Sequence, residues 1–123
     1  MTARCENYLW GRPDLDDTLR RLQAFEQAGA DVLYAPGLRD LGQIRTLCQA
    51  VSRPVNVVVG VAGARFTLAD LAEAGVKRIS VGSALARLAL GAVVTAAREM
   101  ALAGTFRELD QAMGFAELEA FFT

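Results

Sequence analysis

The sequence predicts an α/β chain built as four successive strand–helix units. This is half the content of a TIM-type (β/α)8 barrel, with extra helices at the carboxyl end. Three observations predict it. Short apolar runs rich in Val and Ile alternate with amphipathic helical stretches, the signature of β-α units and a parallel sheet. The phrases that end helices run directly into strands, as in Glu26-Gln-Ala-Gly-Ala-Asp31 and Glu73-Ala-Gly-Val-Lys-Arg78. The length, 123 residues, is about half of the roughly 250 that a complete barrel uses.

The elements follow in order. A first strand is expected over Arg4–Tyr8, and a first helix from about Leu15 to Ala28. Leu15, Leu19, Leu22 and Phe25 recur at three- to four-residue spacing and form one apolar stripe, with Arg20, Arg21 and Gln23 outside it. Asp14 or Asp16 is suited to cap its start, and Gly29 to end it in the left-handed conformation. A second strand is expected over Ala30–Ala35 and a second helix over Leu41–Ala50. The third strand, Pro54–Val59, opens with a proline, where a missing N–H costs least. Thr67 precedes a helix from about Leu68 to Ala74 as an N-cap. A short strand at Ile79–Val81 leads to a long helix, Ala84–Ala103, and then to a last helix over Phe106–Phe122. The whole chain, 1–123, is expected to be one domain. A four-stranded parallel sheet has two open edges, which are liabilities. They are expected to meet another chain, or to have lost their neighbours through truncation.

Composition excludes several functions. Thirteen basic and fourteen acidic residues leave a net charge of −1 with no basic block, so nucleic-acid binding is not expected. The chain has no His, and Cys5 and Cys48 show neither disulfide nor metal spacing. The apolar run Ile79–Ala97 holds Arg87 near its middle, which fits a packed helix and not a membrane span. No signal peptide is recognised, and the cytoplasm is the expected location.

The candidate site is the opening segment. In a strand, Arg4, Glu6 and Tyr8 share one face. A charge buried on a sheet face needs a partner, and Arg4 with Glu6 makes either an ion pair or a ligand site. The Arg fork suits a carboxylate or phosphate-like group. Asn56, on the third strand, points either into a barrel or toward a helix. Gly82 and Ser83 precede a helix whose free N–H groups suit an anion, although Ser83 serves equally well as a plain N-cap. Tyr8 and Trp10 fit as cover for the sheet's end, and Asn7 as a turn former. Phe115, Leu118, Phe121 and Phe122 read first as packing residues.

Ala3-Arg-Cys-Glu6, with Ala24-Phe-Glu-Gln-Ala-Gly-Ala-Asp-Val-Leu33, resembles the isocitrate lyase/phosphoenolpyruvate mutase superfamily. Val76-Lys-Arg-Ile-Ser-Val-Gly-Ser-Ala-Leu85 and the long helix after it resemble that family's last strand and helix. The resemblance covers the whole chain and matches strands five to eight of the family barrel. It implies Mg²⁺-dependent C–C lyase or phosphonomutase-type chemistry on 2-oxo or carboxylic acids through an enolate-like species. It implies that Arg4 binds the substrate carboxylate or phosphonate and that Glu6 lies beside it. The family's metal-organising Asp residues come from earlier strands, so no metal ligand is expected in this chain, which alone is expected to be inactive. Cys5 lies within the strand and reads as a small buried residue, not the family's loop cysteine. The strand ends Tyr34-Ala-Pro-Gly37 and Val57-Val-Val-Gly60 depart from the better-known lyases, the first lacking a carboxylate. The resemblance also implies a homo-oligomer through the terminal helices. Two other readings stand beside it. One is a phosphate-binding barrel of another family, with its ligand at Gly60–Gly63 and Gly82–Ser83. The other is a non-catalytic half-barrel that serves in assembly.

Overall fold

The computed structural model describes residues 1–61 and 65–122. It comprises two compact units, Met1–Gly82 and Ser83–Thr123. The first unit alternates strand and helix: β1 (Thr2–Arg4), α1 (Leu15–Gln27), β2 (Val32–Tyr34), α2 (Leu41–Ala50), β3 (Val55–Val58), α3 (Leu68–Glu73) and β4 (Arg78–Ser80). The four strands form one sheet in the order β1-β2-β3-β4, and every pairing is parallel.

The helices start and stop where side chains satisfy their free backbone ends. Asp14 caps α1, accepting from the Asp17 N–H at 2.9 Å. Asp40 caps α2 by accepting from the Gln43 N–H at 2.8 Å. Thr67 and Asp70 form a reciprocal capping box at the start of α3. Gly29, at φ 96°, reverses the chain after α1 so that the Ala30 N–H reaches the Phe25 carbonyl.

Alternation along the strands sorts their side chains onto two faces. Leu33, Val55 and Val57 join Leu22 of α1, Ile44 and Leu47 of α2 and Leu71 of α3 in one buried core. Of the stripe expected on α1, Leu22 is fully buried, while Leu19 and Phe25 are partly buried against the core. The intervening residues, Arg4, Tyr34, Asn56 and Ser80, take the other face. One face therefore stabilises the unit, and the other carries polar groups.

Two expectations need correction. The first strand stops at Arg4, not Tyr8. The Cys5 N–H still donates to the Tyr34 carbonyl at 2.9 Å, but the Leu9 and Trp10 N–H groups both turn back to the Glu6 carbonyl. The chain turns over Asn7–Gly11, so Arg4, Glu6 and Tyr8 do not share one strand face. Tyr8 instead packs against the core and donates to Gln43 Oε1 at 3.1 Å. Gly37 permits this: its φ is 95°, and a Cβ there would meet Tyr8 Cβ at 3.0 Å.

The second correction concerns the chain end. The second unit opens with α4 (Ala84–Ala103), as expected, but the single helix over Phe106–Phe122 is not formed. A 3₁₀ helix spans Arg107–Gln111, and a short α5 spans Phe115–Glu119. Gly104, at φ 64°, ends α4. Glu99 then captures the chain beyond it, accepting from Thr105 Oγ1 at 2.5 Å and from the N–H groups of Arg107 at 3.1 Å and Glu108 at 2.8 Å. Ala112 is extended, and Gly114 restarts the chain as the N-cap of α5.

Among the described residues, no helix is long and apolar enough to cross a membrane.

Candidate functional site

The polar face of the sheet gathers Arg4, Tyr34, Asn56 and Ser80 from four strands, with Glu6 beside Arg4. Arg4, the last residue of β1, sends Nε to Glu6 Oε1 at 2.7 Å. Both side chains remain partly exposed, at 52% and 38%, so the pair lies open to a ligand. Arg4 stands in register with Tyr34 on β2, and its guanidinium carbon lies over the Tyr34 ring, 5.1 Å from the centroid. Tyr34 stands in register with Asn56 on β3. Asn56 Nδ2 donates to Ser80 Oγ on β4 at 3.1 Å. Ser80 stands in register with Val58 on β3, two residues along the strand from Asn56.

Burial raises the Tyr34 pKa above its ordinary value of 10.0, although the Arg4 charge pulls it down. Tyr34 is therefore a neutral phenol at physiological pH. Asn56 is 2% exposed, and its Oδ1 is buried without a hydrogen-bond partner. Buried polar atoms nearly always have partners, and an orphan acceptor costs about 1–3 kcal/mol. Cores avoid such an atom, so it makes the face a candidate site.

The loop after β1 is braced from below. Asn7 Nδ2 donates to Asp17 Oδ2 at 2.8 Å and to Thr18 Oγ1 at 3.3 Å, at the start of α1. Asp17 also takes Arg21 Nε at 2.6 Å, and this bond is the main cause of its lowered pKa. Beside the Arg4–Glu6 pair, Glu6, Asn7, Trp10 and Arg12 line a cleft of about 220 Å³. A larger cavity of about 280 Å³ lies within the second unit, between α4 and the 3₁₀ segment. Its lining is mostly Ala, Val and Leu, which gives it little chemistry.

Arg4, Glu6 and Asn56, all expected from the sequence, thus lie on or beside one face. Gly82 ends the first unit at φ 51°. Ser83 occupies the N-cap position of α4 without capping it; its Oγ accepts from Arg87 Nε at 3.2 Å. Gly63, part of the alternative phosphate site, lies outside the described residues. Sequence reasoning missed Tyr34 and Ser80 as members of the face and Asn7 as its brace. Cys5 is buried, at 2%, as expected.

The family model for phosphoenolpyruvate phosphomutase matches residues 1–101. The chain belongs to this family. It is the family that the Ala3–Glu6 and Ala24–Leu33 motifs resemble. The chain is similar to a provisionally assigned lyase/mutase of Burkholderia cenocepacia, with 54% identity and a TM-score of 0.93 over 99% of this chain and 44% of that one. An uncharacterized protein of Mycobacterium tuberculosis is 34% identical over 98% of this chain and 45% of its own length. Phosphonopyruvate hydrolase, solved with oxalate and Mg²⁺, is 25% identical with a TM-score of 0.73, over 98% of this chain and 44% of that one. The chain therefore spans under half the length of these relatives. Its four parallel strands and alternating helices match half of the family's TIM-type barrel.

Proposed function

We propose that the polar face binds the carboxylate end of a small carboxylic or 2-oxo acid, within an enzyme of C–C lyase or phosphonomutase type that works through an enolate-like species. The arrangement of Arg4 carries this reading. Glu6 occupies Nε at 2.7 Å, which leaves the terminal guanidinium nitrogens to grip a planar anion bidentately. Asn56 and Ser80 supply further polar atoms on the same face. The oxalate bound by the related phosphonopyruvate hydrolase is an anion of the class proposed.

That relative also holds Mg²⁺, which takes oxygen ligands in an octahedral set. The described residues contain no group of three or more His, Cys, Asp or Glu side chains able to hold a metal. Glu6, the carboxylate nearest the site, is already held by Arg4. The residues present do not fit a Mg²⁺ centre, and no catalytic step through the metal is assigned to them. What this chain supplies is recognition: Arg4 binds and orients the acid, and Glu6 accepts from its Nε. Little or no turnover is expected from the chain alone.

The second unit supports an assembly role. No residue of α4 is buried, and Leu85, Leu88, Val93, Phe106, Phe115 and Phe121 are all exposed. Apolar surface of this extent favours a homo-oligomer.

Calorimetric titration with oxalate tests the reading. Arg4→Ala should weaken binding by about 1.5–3 kcal/mol, the scale of hydrogen bonds to a charged group, or roughly ten- to hundredfold. The exposure of the pair, 52% and 38%, sets this below the cost of breaking a buried pair. Arg4→Lys should not restore the affinity, because the fork is lost. Equal affinity in the wild type and the Ala variant would remove Arg4 from the site.

A further inference from the structure

We propose that Tyr34 is the positioning residue that aims Arg4: its ring is the platform on which the guanidinium lies, so that only the terminal edge of the fork faces a ligand. The proposal rests on the reading of Arg4 as the carboxylate binder and adds how its direction is set.

An arginine on an open sheet face has many rotamers. The exposed ion pair to Glu6 restrains it only weakly, because solvent screens such pairs. It also fixes one nitrogen, leaving the plane of the guanidinium free to turn about that bond. Tyr34 removes this freedom. The β1–β2 register sets Arg4 directly beside Tyr34, and the guanidinium carbon stands over the ring at 5.1 Å, within the range of a cation–π contact. With Nε held from the side and one face covered, the two terminal nitrogens point along one direction.

The platform lies on an interior strand. Tyr34 stands in register with Asn56 on β3, and Asn56 Nδ2 donates to Ser80 Oγ on β4 at 3.1 Å. An aliphatic side chain at position 34 would fill space but could not attract the cation.

The test uses the chain, its variants at positions 34 and 4, and two readouts. ¹⁵N relaxation and exchange at Arg4 Nε–H report how rigidly the guanidinium is held, without any ligand. Oxalate titration reports binding. Tyr34→Phe keeps the ring and should retain both the Arg4 Nε order and an affinity within about twofold of wild type. Tyr34→Leu should lose the order and bind oxalate about two- to fivefold more weakly. Adding Tyr34→Leu to Arg4→Ala should cost nothing further. Tyr34→Gln, without a ring, replaces the Leu variant if that variant fails to fold. Unchanged Arg4 Nε order in the ring-less variant overturns the proposal, whatever oxalate does. If Arg4→Ala weakens oxalate but the ring-less variant does not, the positioning role falls while the carboxylate site stands. If Arg4→Ala leaves oxalate binding unchanged, the site reading itself falls.

Discussion

Asn56 and Leu33 are both shut off from solvent, at 2% and 0% exposure, yet they should respond in opposite ways to truncation. Leu33 lies on the central strand β2, within the core formed with α1 and α2. Leu33→Ala should cost about 2–5 kcal/mol, the range for emptying a leucine site that collapses only partly. Asn56→Ala deletes the hydrogen bond to Ser80 Oγ, worth about 0.5–1.5 kcal/mol. It also deletes the orphan Oδ1, whose burial costs about 1–3 kcal/mol. The small void left by the amide adds back about 1 kcal/mol. These contributions nearly cancel, so Asn56→Ala should lie within about 1 kcal/mol of wild type while weakening oxalate binding. Urea unfolding followed by circular dichroism measures both variants, with the slope checked for constancy. If Asn56→Ala is destabilised as much as Leu33→Ala, Asn56 is a satisfied core residue and the argument from its orphan oxygen is wrong.

Acid should unfold the chain through its hydrogen-bonded carboxylates. The pKa of Glu26 is lowered by Ser52, that of Asp70 by Thr67 and that of Glu99 by Thr105, relative to ordinary values of 4.5, 3.8 and 4.5. A lowered folded pKa gives stability that is full above the ordinary value and lost as pH falls through the folded one. Urea midpoints should therefore drop below about pH 5, and less steeply in Glu26→Ala; a pH-independent midpoint would contradict this. Thr67→Ala removes the capping box of α3 and should cost about 1 kcal/mol, measured by the same unfolding assay. Deleting residues 105–123 should change the oligomeric state or lower solubility, and light scattering that finds a stable monomer before and after would exclude the assembly role.

The fold was legible because its signals are local. α2 and α4 end where the sequence predicted, at Ala50 and Ala103. Each has a clear stop: an extended Val51 after α2 and a left-handed Gly104 after α4. β2 and β3 were placed correctly but drawn too long, β4 was set one residue late, and β1 was set late enough to share only Arg4 with the observed strand, since a parallel ladder ends where its neighbour turns away, and that depends on the neighbour. The terminal stretch was misread because Phe106, Leu109, Met113, Leu118 and Phe121 imitate helical spacing across a break at Gly114. That glycine was the available signal. Glu99 was not, since its capture of Thr105, Arg107 and Glu108 joins a helix to a segment that sequence periodicity reads as a separate element.

The candidate site divides along the same line. Arg4 and Glu6 pair across only two residues, so their meeting could be expected even though the strand ends between them. Tyr34 was noticed only for the carboxylate it lacks. Its neighbour Leu33 was the better clue, because a core leucine in a strand sends the next residue to the opposite face. Ser80 needed more than alternation. It meets Asn56 because β3 and β4 align Asn56 with Arg78, which sets Ser80 two residues on along the same face. Register between strands separated by a helix is decided by packing of the whole layer, not by either strand's residues. A sequence read alone can therefore assign side chains to a face, but only the assembled sheet shows that the Arg4 cation rests on Tyr34 and that the Asn56 oxygen is left without a donor.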